Sequence, residues 1–250
     1  MTCGGLWSGN VRATAERRIS TTDCLTRTAG REVHVFGAVR SLCLIAAAVV
    51  GCAFASPLAT PTRFVSSPQP QPEPKLEIRW RDSRVLGTPG AGGLVKGVQL
   101  PVESSRFFTW DPVLRRTPNR AWRRWGTEQL VRVVVRVARA FAKAHPEAPR
   151  LGIGDLSLPA GGYFGPKHAT HQNGLDVDVY YPRLDRRERP PRSAAQVDLR
   201  LAQDLVDRFL AAGATVIYVG PNTPLRGPPS IVQPLWNHDN HLHVRIAPRP

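Results

Sequence analysis

Two short segments of this chain alternate polar and apolar residues, which is the pattern of a β-strand with one buried face. Residues 175–180 read Leu-Asp-Val-Asp-Val-Tyr, and residues 241–246 read His-Leu-His-Val-Arg-Ile. Because alternate side chains of a strand point to the same side, two aspartates share one face of the first segment and two histidines share one face of the second. If the strands lie side by side, carboxylates and imidazoles meet on one wall of a cleft.

Histidines are concentrated around these two segments. The chain has seven, and five of them fall in two short windows: His168 and His171, then His238, His241 and His243. His171 precedes the first strand through a loop that contains Gly174, so it can fold back over the polar wall. Two histidines and one carboxylate suit a catalytic zinc ion, which keeps a fourth position open for water. The alternative is a polar sheet face with solvated histidines.

Two amphipathic segments predict helices. Thr127 can cap a helix over residues 128–144, in which apolar residues occupy one face and basic residues the other. A second helix is predicted to begin at Ser193, with Gln196 completing a capping box. Gly213 ends it.

Short strands are predicted between and after the helices, at Leu151–Ile153, Leu175–Tyr180, Thr215–Val219 and His241–Ile246. Helices and strands follow each other too irregularly for a parallel βαβ series. The order therefore predicts an α+β fold, with an antiparallel sheet and helices packed on it.

The first 55 residues predict an export leader. An uncharged apolar run at 42–50 is too short to span a bilayer, which needs about 20 residues, but suits the core of a signal peptide. Ala53-Phe54-Ala55 forms a small-x-small cleavage signal, whereas Val49-Val50-Gly51-Cys52 resembles a lipoprotein box that would place a lipid on Cys52. Both routes stay open. All four cysteines lie in this leader, which excludes a disulfide framework or a thiol nucleophile from the remaining residues.

Residues 56–77 contain six prolines and predict a semi-extended linker, which leaves residues 78–250 as the folded domain.

The net charge of +15 indicates an anionic partner: nucleic acid, a membrane surface or an acidic cell-envelope polymer. No helix-turn-helix, zinc-finger or RNA-binding signature accompanies the charge, and export argues against nucleic acid. Adhesion to anionic envelope polymers is the preferred interpretation, with an ordinary solvated surface as the alternative.

Three stretches resemble the motifs of the penicillin-insensitive murein endopeptidases: GDLSLPAGG at 154–162, HATHQNGLDVD at 168–178 and NHDNHLHVR at 237–245. Weaker similarity begins near Gly92, and the resemblance covers most of residues 90–245. This family belongs to a broader group that includes lysostaphin-type and D-alanyl-D-alanine metallopeptidases and the hedgehog signalling domain. The resemblance thus implies a hedgehog/D-alanyl-D-alanine-peptidase-like fold.

The resemblance also implies roles for individual residues. Zn²⁺ would be held by His171, Asp178 and His243. His241 is the first choice for the proton-transfer residue and His238 the second. His168 and Asp176 are further candidates for the metal or the cleft, and Asp176 would orient a ligand histidine or hold a substrate amine. Asp155 is interpreted as a turn or network residue.

The function implied is an exported zinc metallopeptidase that hydrolyses amide bonds in peptidoglycan cross-links with a zinc-activated water, in the periplasm or anchored to the outer membrane of a bacterium. Contact with the membrane is expected only through a lipid on Cys52. One alternative is a D-Ala-D-Ala carboxypeptidase or dipeptidase of the same fold. Another is a zinc-stabilised module that binds the cell wall without catalysis.

Overall fold

The computed structural model describes residues 76–166 and 168–249. The predicted leader (1–55) and nearly all of the predicted linker (56–77) lie outside the described residues. Within the described part, no helix is long and apolar enough to cross a membrane.

A six-stranded sheet forms the centre of the domain, and two small two-stranded sheets accompany it. The strands, in chain order, are β1 (Arg84–Thr88), β2 (Ala91–Val95), β3 (Val98–Gln99), β4 (Phe107–Thr109), β5 (Trp125–Gly126), β6 (Leu151–Ile153), β7 (Asp176–Tyr180), β8 (Ala214–Val219), β9 (Val232–Pro234) and β10 (His241–Ile246). The six-stranded sheet has the order β4-β6-β7-β10-β8-β9. Strands β1 and β2 pair with each other, as do β3 and β5.

The predicted α+β class is confirmed, but the predicted antiparallel sheet is correct only for its centre. Strands β6, β7, β10 and β8 pair antiparallel, whereas β4 pairs parallel with β6 at one edge and β9 pairs parallel with β8 at the other. A parallel pair needs a crossover connection rather than a tight hairpin. The first helix supplies it between β4 and β6, and the loop after β8 supplies it before β9. The likeness to the hedgehog signalling domain stays a prediction.

Helix α1 (Glu128–Ala144) begins and ends where the sequence predicts. The Thr127 hydroxyl accepts a hydrogen bond from the Leu130 N–H at 3.1 Å and so caps the first turn. The Thr127 N–H itself donates to the Gly174 carbonyl at 2.9 Å. This contact ties the start of the helix to the loop that leads into β7.

Helix α2 (Leu199–Ala211) begins six residues later than predicted. Ser193 makes no side-chain cap, and only a short 3-10 turn, Ala194–Gln196, follows it. The cap is Asp198, whose carboxylate accepts from the Leu201 N–H at 3.1 Å. The capping-box pattern at Ser193 therefore marked a turn and not the helix start, because the Gln196 side chain accepts from the Arg192 N–H instead.

Both helices contribute to one hydrophobic core on one face of the central sheet. Val177 and Val179 of β7 and Leu242 and Val244 of β10 are fully buried there, together with the apolar faces of α1 and α2. Because side chains alternate along a strand, the intervening residues of β7 and β10 lie on the opposite face. That face carries the polar residues that the sequence singled out.

Asp198→Ala is expected to lower the free energy of unfolding by about 1 kcal/mol, since it removes the acceptor for a first-turn N–H. Ser193→Ala is the matched control at the position that the sequence predicted as the cap, and should change stability by less than about 0.5 kcal/mol. Urea unfolding followed by circular dichroism measures both. Equal losses in the two variants would contradict the assigned helix start.

Candidate metal centre

Strands β7 and β10 lie side by side, which is the condition under which the alternating pattern brings carboxylates and imidazoles together. Their antiparallel register places His243 opposite Asp178, Arg245 opposite Asp176 and His241 opposite Tyr180. Residues directly opposite on one face of an antiparallel pair have Cβ atoms about 4.5–5.5 Å apart. The register therefore brings a carboxylate and an imidazole together without any contribution from loops.

Three donor atoms from three segments form a nearly equilateral triangle on this face. His171 Nε2 lies 3.3 Å from Asp178 Oδ1, His243 Nδ1 lies 3.3 Å from the same oxygen, and the two nitrogens are 3.2 Å apart. All three residues are buried. Donor atoms around a tetrahedral zinc ion with bonds of about 2.0–2.1 Å are about 3.3 Å apart. The triangle has the size that one such ion requires.

The loop before β7 delivers His171 to this triangle. His171 has a φ of 69°, a left-handed conformation that is uncommon for a residue with a side chain. Its N–H donates to Asp176 Oδ2 at 3.2 Å, and its Nδ1–H donates to the Leu156 carbonyl at 2.5 Å. Gly174 has a φ of 76°, and a Cβ there would approach the Leu94 side chain to 2.9 Å. Hydrogen bonds of His171 and the close packing at Gly174 thus fix the backbone of this loop.

Hydrogen bonds on the outer sides of both rings fix their tautomers. Because the Nδ1–H of His171 donates to a carbonyl, its Nε2 carries a lone pair in the neutral ring. His243 Nε2–H donates to Asp176 Oδ1 at 2.9 Å, so its Nδ1 carries the lone pair. Both lone pairs face Asp178 Oδ1. A metal-ligating histidine typically donates its other N–H to a carboxylate or backbone carbonyl in this way.

The carboxylate of Asp178 completes a cluster that needs a positive charge. Burial alone raises the pKa of Asp178, but His171 and His241 outweigh burial and hold that pKa well below its usual range. Its Oδ1 is buried and accepts no hydrogen bond from the described residues. An ionised oxygen and two imidazole lone pairs repel one another unless a cation or a proton lies between them.

A proton is the competing occupant of this position. Burial lowers the pKa of His171, but the nearby charge of Asp178 outweighs it and raises that pKa to about 9. A single proton forms one strong hydrogen bond between two of the three atoms, whereas a metal ion contacts all three. Two nitrogens and one oxygen are a donor set that Zn²⁺ accepts in catalytic sites. The donor atoms of the triangle therefore fit Zn²⁺ in chemical type and in spacing.

Asp176 lies behind the triangle and contacts both histidines. Its Oδ1 accepts from His243 Nε2–H and, at 2.8 Å, from Arg245 Nε, while its Oδ2 accepts from the His171 N–H. Burial alone raises the pKa of Asp176, but the contact with His243 and the charges around it keep that pKa below its usual range. Asp176 is therefore placed to orient histidines rather than to face a substrate. Arg245 was not singled out as a site residue, although it shares the polar face of β10.

The other two histidines of the second window stack on each other beside the triangle. The rings of His238 and His241 have centroids 4.6 Å apart, and His241 Nε2 lies 3.8 Å from Asp178 Oδ1. His241 Nδ1–H donates to Asn240 Oδ1 at 2.6 Å, which leaves its Nε2 unprotonated. Burial lowers the pKa of His241 to about 4 despite the attraction of Asp178, so this ring is neutral near pH 7. Burial also lowers the pKa of His238.

His168 belongs to a second cluster, next to the triangle. Its Nε2 lies 3.1 Å from Asp155 Oδ2, and its ring meets the His171 ring edge to face at 5.2 Å. Asp155 is fully buried and accepts from Arg123 at 2.6 Å and from Asn119 at 2.9 Å. Asp155, His168 and Asp178 each offer an atom within 4.8 Å of the others. Asp155 is already neutralised by Arg123, which disfavours a second metal ion there.

The sequence indicated a turn or network role for Asp155 but did not identify its two partners, Arg123 and Asn119. Arg123 and Asn119 lie more than thirty residues earlier in the chain. Burial alone raises the pKa of Asp155, and the contacts with His168 and Arg123 keep that pKa below its usual range.

Asp176→Asn is expected to weaken zinc binding by about 10–100-fold, because it removes the charge that orients both histidines. Asp207→Asn, on the outer side of helix α2, is the matched control and should leave the affinity unchanged. Competition with a chromophoric chelator measures the dissociation constant of both variants. An Asp176 variant that binds zinc as tightly as the control would contradict the positioning role.

Sequence similarity to known proteins identifies the family of this chain. A sequence profile of the penicillin-insensitive murein endopeptidase family matches residues 85–211. Proteins named penicillin-insensitive murein endopeptidase are 40% identical over 94 residues in Yersinia pestis (strain Antiqua) and 30% identical over 176 residues in Escherichia coli O157:H7. These matches cover 36% and 68% of this chain, and the chain spans only 30% and 52% of the length of those relatives. The chain belongs to the penicillin-insensitive murein endopeptidase family.

Proposed function

We propose that this protein is an exported zinc peptidase that hydrolyses amide bonds in peptidoglycan cross-links. Family membership supports the reaction class, and the relatives carry the name murein endopeptidase. The observation that carries the metal is the triangle of His171 Nε2, His243 Nδ1 and Asp178 Oδ1, with edges of 3.2–3.3 Å. One metal ion would contact all three atoms without a proton on either inner nitrogen.

Within this proposal, His171, Asp178 and His243 hold the metal ion. Zn²⁺ bound there supplies Lewis acidity, which polarises a carbonyl group and lowers the pKa of a water molecule to about 7. Asp178 contributes the one negative charge of the donor set. Asp176 and the Leu156 carbonyl hold the two imidazoles with their lone pairs turned inward.

His241 is placed to move the proton during hydrolysis. Its unprotonated Nε2 lies 3.8 Å from Asp178 Oδ1, at the edge of the triangle, and its ring is neutral near pH 7. It can therefore take the proton from the attacking water and return it to the leaving amine. Asn240 holds the ring in the required tautomer through the 2.6 Å contact with Nδ1. His238 supports the ring by stacking, and it stays the second candidate for proton transfer.

The opposite side of the site is lined by His168 and held by a buried ion pair. Arg123 and Asp155 fix the position of His168 beside His171. We assign His168 to the wall of the cleft, where an imidazole edge can donate to a substrate carbonyl. The site then has a metal-binding centre, a proton-transfer histidine on one side and a polar wall on the other.

The location follows from the substrate. Peptidoglycan lies outside the cytoplasmic membrane, so the proposal requires the leader that the sequence predicts at residues 1–55. Either cleavage after Ala55 or a lipid on Cys52 would leave residues 78–250 in the periplasm, joined to the linker 56–77. An anionic cell envelope remains the expected partner of the excess positive charge, and nucleic acid is not expected.

Digestion of purified cross-linked muropeptides by the full chain tests the proposal. The zinc-loaded protein is expected to release monomers, and a chelator should abolish release until zinc is added back. His241→Ala should retain zinc but lower kcat by about 100–10,000-fold, because it removes the proton-transfer group. Asp178→Ala should lose both zinc and activity.

His145→Ala is the control for His241→Ala, because His145 lies at the end of helix α1 and away from the site. Monomer release that survives both the chelator and Asp178→Ala would overturn the metallopeptidase mechanism. Cleavage of uncross-linked stem peptides alone would indicate a carboxypeptidase. Stoichiometric zinc binding without any cleavage would indicate a binding module.

A further inference from the structure

The outer face of helix α1 carries a stripe of basic side chains. Arg132, Arg136, Arg139 and Lys143 follow one another at spacings of four, three and four residues, and all four are exposed. This spacing keeps them on one side of a helix. The stripe lies directly opposite the buried face of the helix, which includes Val134 and Phe141.

Most of this stripe has no acidic partner. Arg132 pairs with Glu128 at 2.8 Å, but no carboxylate among the described residues lies within ion-pair distance of Arg136, Arg139 or Lys143. Helix α2 differs, because Arg200 pairs with Glu147 at 3.6 Å and Arg208 with Asp204 at 2.5 Å. Like charges three or four residues apart destabilise a helix. Repulsion within the stripe therefore lowers the stability of helix α1 in the free protein, and binding to an anionic surface would offset this loss.

The segment that enters the domain reaches the same helix. Trp80 packs against Arg132, with the guanidinium carbon 4.0 Å from the ring centroid, and Trp80 is itself 38% exposed. Arg79 and Arg81 flank this tryptophan in the sequence. Residues 79–81 therefore lie beside the basic stripe, and they combine an exposed tryptophan with basic residues, as segments at a membrane surface do.

The stripe and the metal centre lie on opposite sides of the central sheet. Helix α1 packs on the face that buries Val177 and Val244, whereas Asp178 and His243 lie on the other face. A surface that binds α1 would leave the metal centre open and pointing away from it.

We propose that the outer face of α1, with Arg136, Arg139 and Lys143 at its centre, docks on a membrane surface of anionic phospholipid. This inference rests on the proposed export of the chain. The stripe then orients the domain with the metal centre towards the cell wall, and a lipid on Cys52 would add a second attachment through the linker. A basic residue near an anionic bilayer contributes about 1 kcal/mol, which is about five-fold in affinity.

Co-sedimentation of the full chain with vesicles tests this proposal. The protein is expected to bind vesicles of phosphatidylcholine mixed with phosphatidylglycerol and not vesicles of phosphatidylcholine alone. The triple variant R136Q/R139Q/K143Q should bind the mixed vesicles about 100-fold more weakly, from five-fold per charge. Glutamine keeps a strong helix propensity, and thermal unfolding checks that the variant stays folded.

R115Q/R116Q/R226Q is the matched control, because it removes the same charge from exposed positions on loops. It should weaken vesicle binding by less than about ten-fold, since screening limits the reach of a distant charge. Equal losses in the two triple variants would overturn the proposal in favour of general charge attraction. Binding to a soluble polyphosphate that depends on the α1 stripe, without vesicle binding, would overturn it in favour of an anionic polymer.

Muropeptide digestion separates this proposal from the peptidase proposal. The α1 variant is expected to digest soluble muropeptides at the same rate as the unmodified chain, because none of its three positions lies at the metal centre. A chain that digests muropeptides but does not bind anionic vesicles would overturn the docking surface alone. A chain that binds vesicles through α1 but shows no zinc-dependent cleavage would overturn the peptidase alone.

Discussion

The convergence of three lone-pair-bearing atoms is the constraint on which this site depends. His171 Nε2, His243 Nδ1 and Asp178 Oδ1 lie 3.2–3.3 Å apart in a buried position, where an unpaired polar group is costly. The surrounding residues hold this arrangement rather than relieve it. The Leu156 carbonyl accepts the outer N–H of His171 and Asp176 accepts that of His243, so each ring in its neutral form directs its lone pair towards Asp178.

Different parts of the fold supply the three atoms. The pairing of β7 with β10 sets Asp178 against His243, and this pair needs only the strand register. His171 comes from a loop, and its position requires a left-handed backbone held by Asp176 and by the contact between Gly174 and the start of helix α1. The helix cap and the metal centre therefore share one loop. The alternation of buried valines with polar residues lets the same two strands serve the core and the site.

The sequence predicted the two central strands well, because a period of two fixes which side chains share a face. That the two strands pair was a condition of the prediction, and the structure meets it. The extent of β10 and the bounds of α1 follow from that periodicity and from local capping. The addition of His171 to Asp178 and His243 was implied by the family resemblance, because a loop residue has no such period. The predicted start of α2 was wrong, because a capping-box pattern at Ser193 also suits a 3-10 turn. The parallel edge strands β4 and β9, and the pairing of Asp155 with Arg123, depend on contacts between distant segments that carry no local signal.

Crystals of the full chain grown with Zn²⁺ and measured on both sides of the zinc absorption edge would show whether these three atoms bind the metal. One strong anomalous peak is expected within bonding distance of His171 Nε2, His243 Nδ1 and Asp178 Oδ1, with Asp176 still bonded to the outer nitrogen of His243. A peak held by Asp155 and His168 instead, or ordered side chains at the triangle with no peak, would contradict this metal centre.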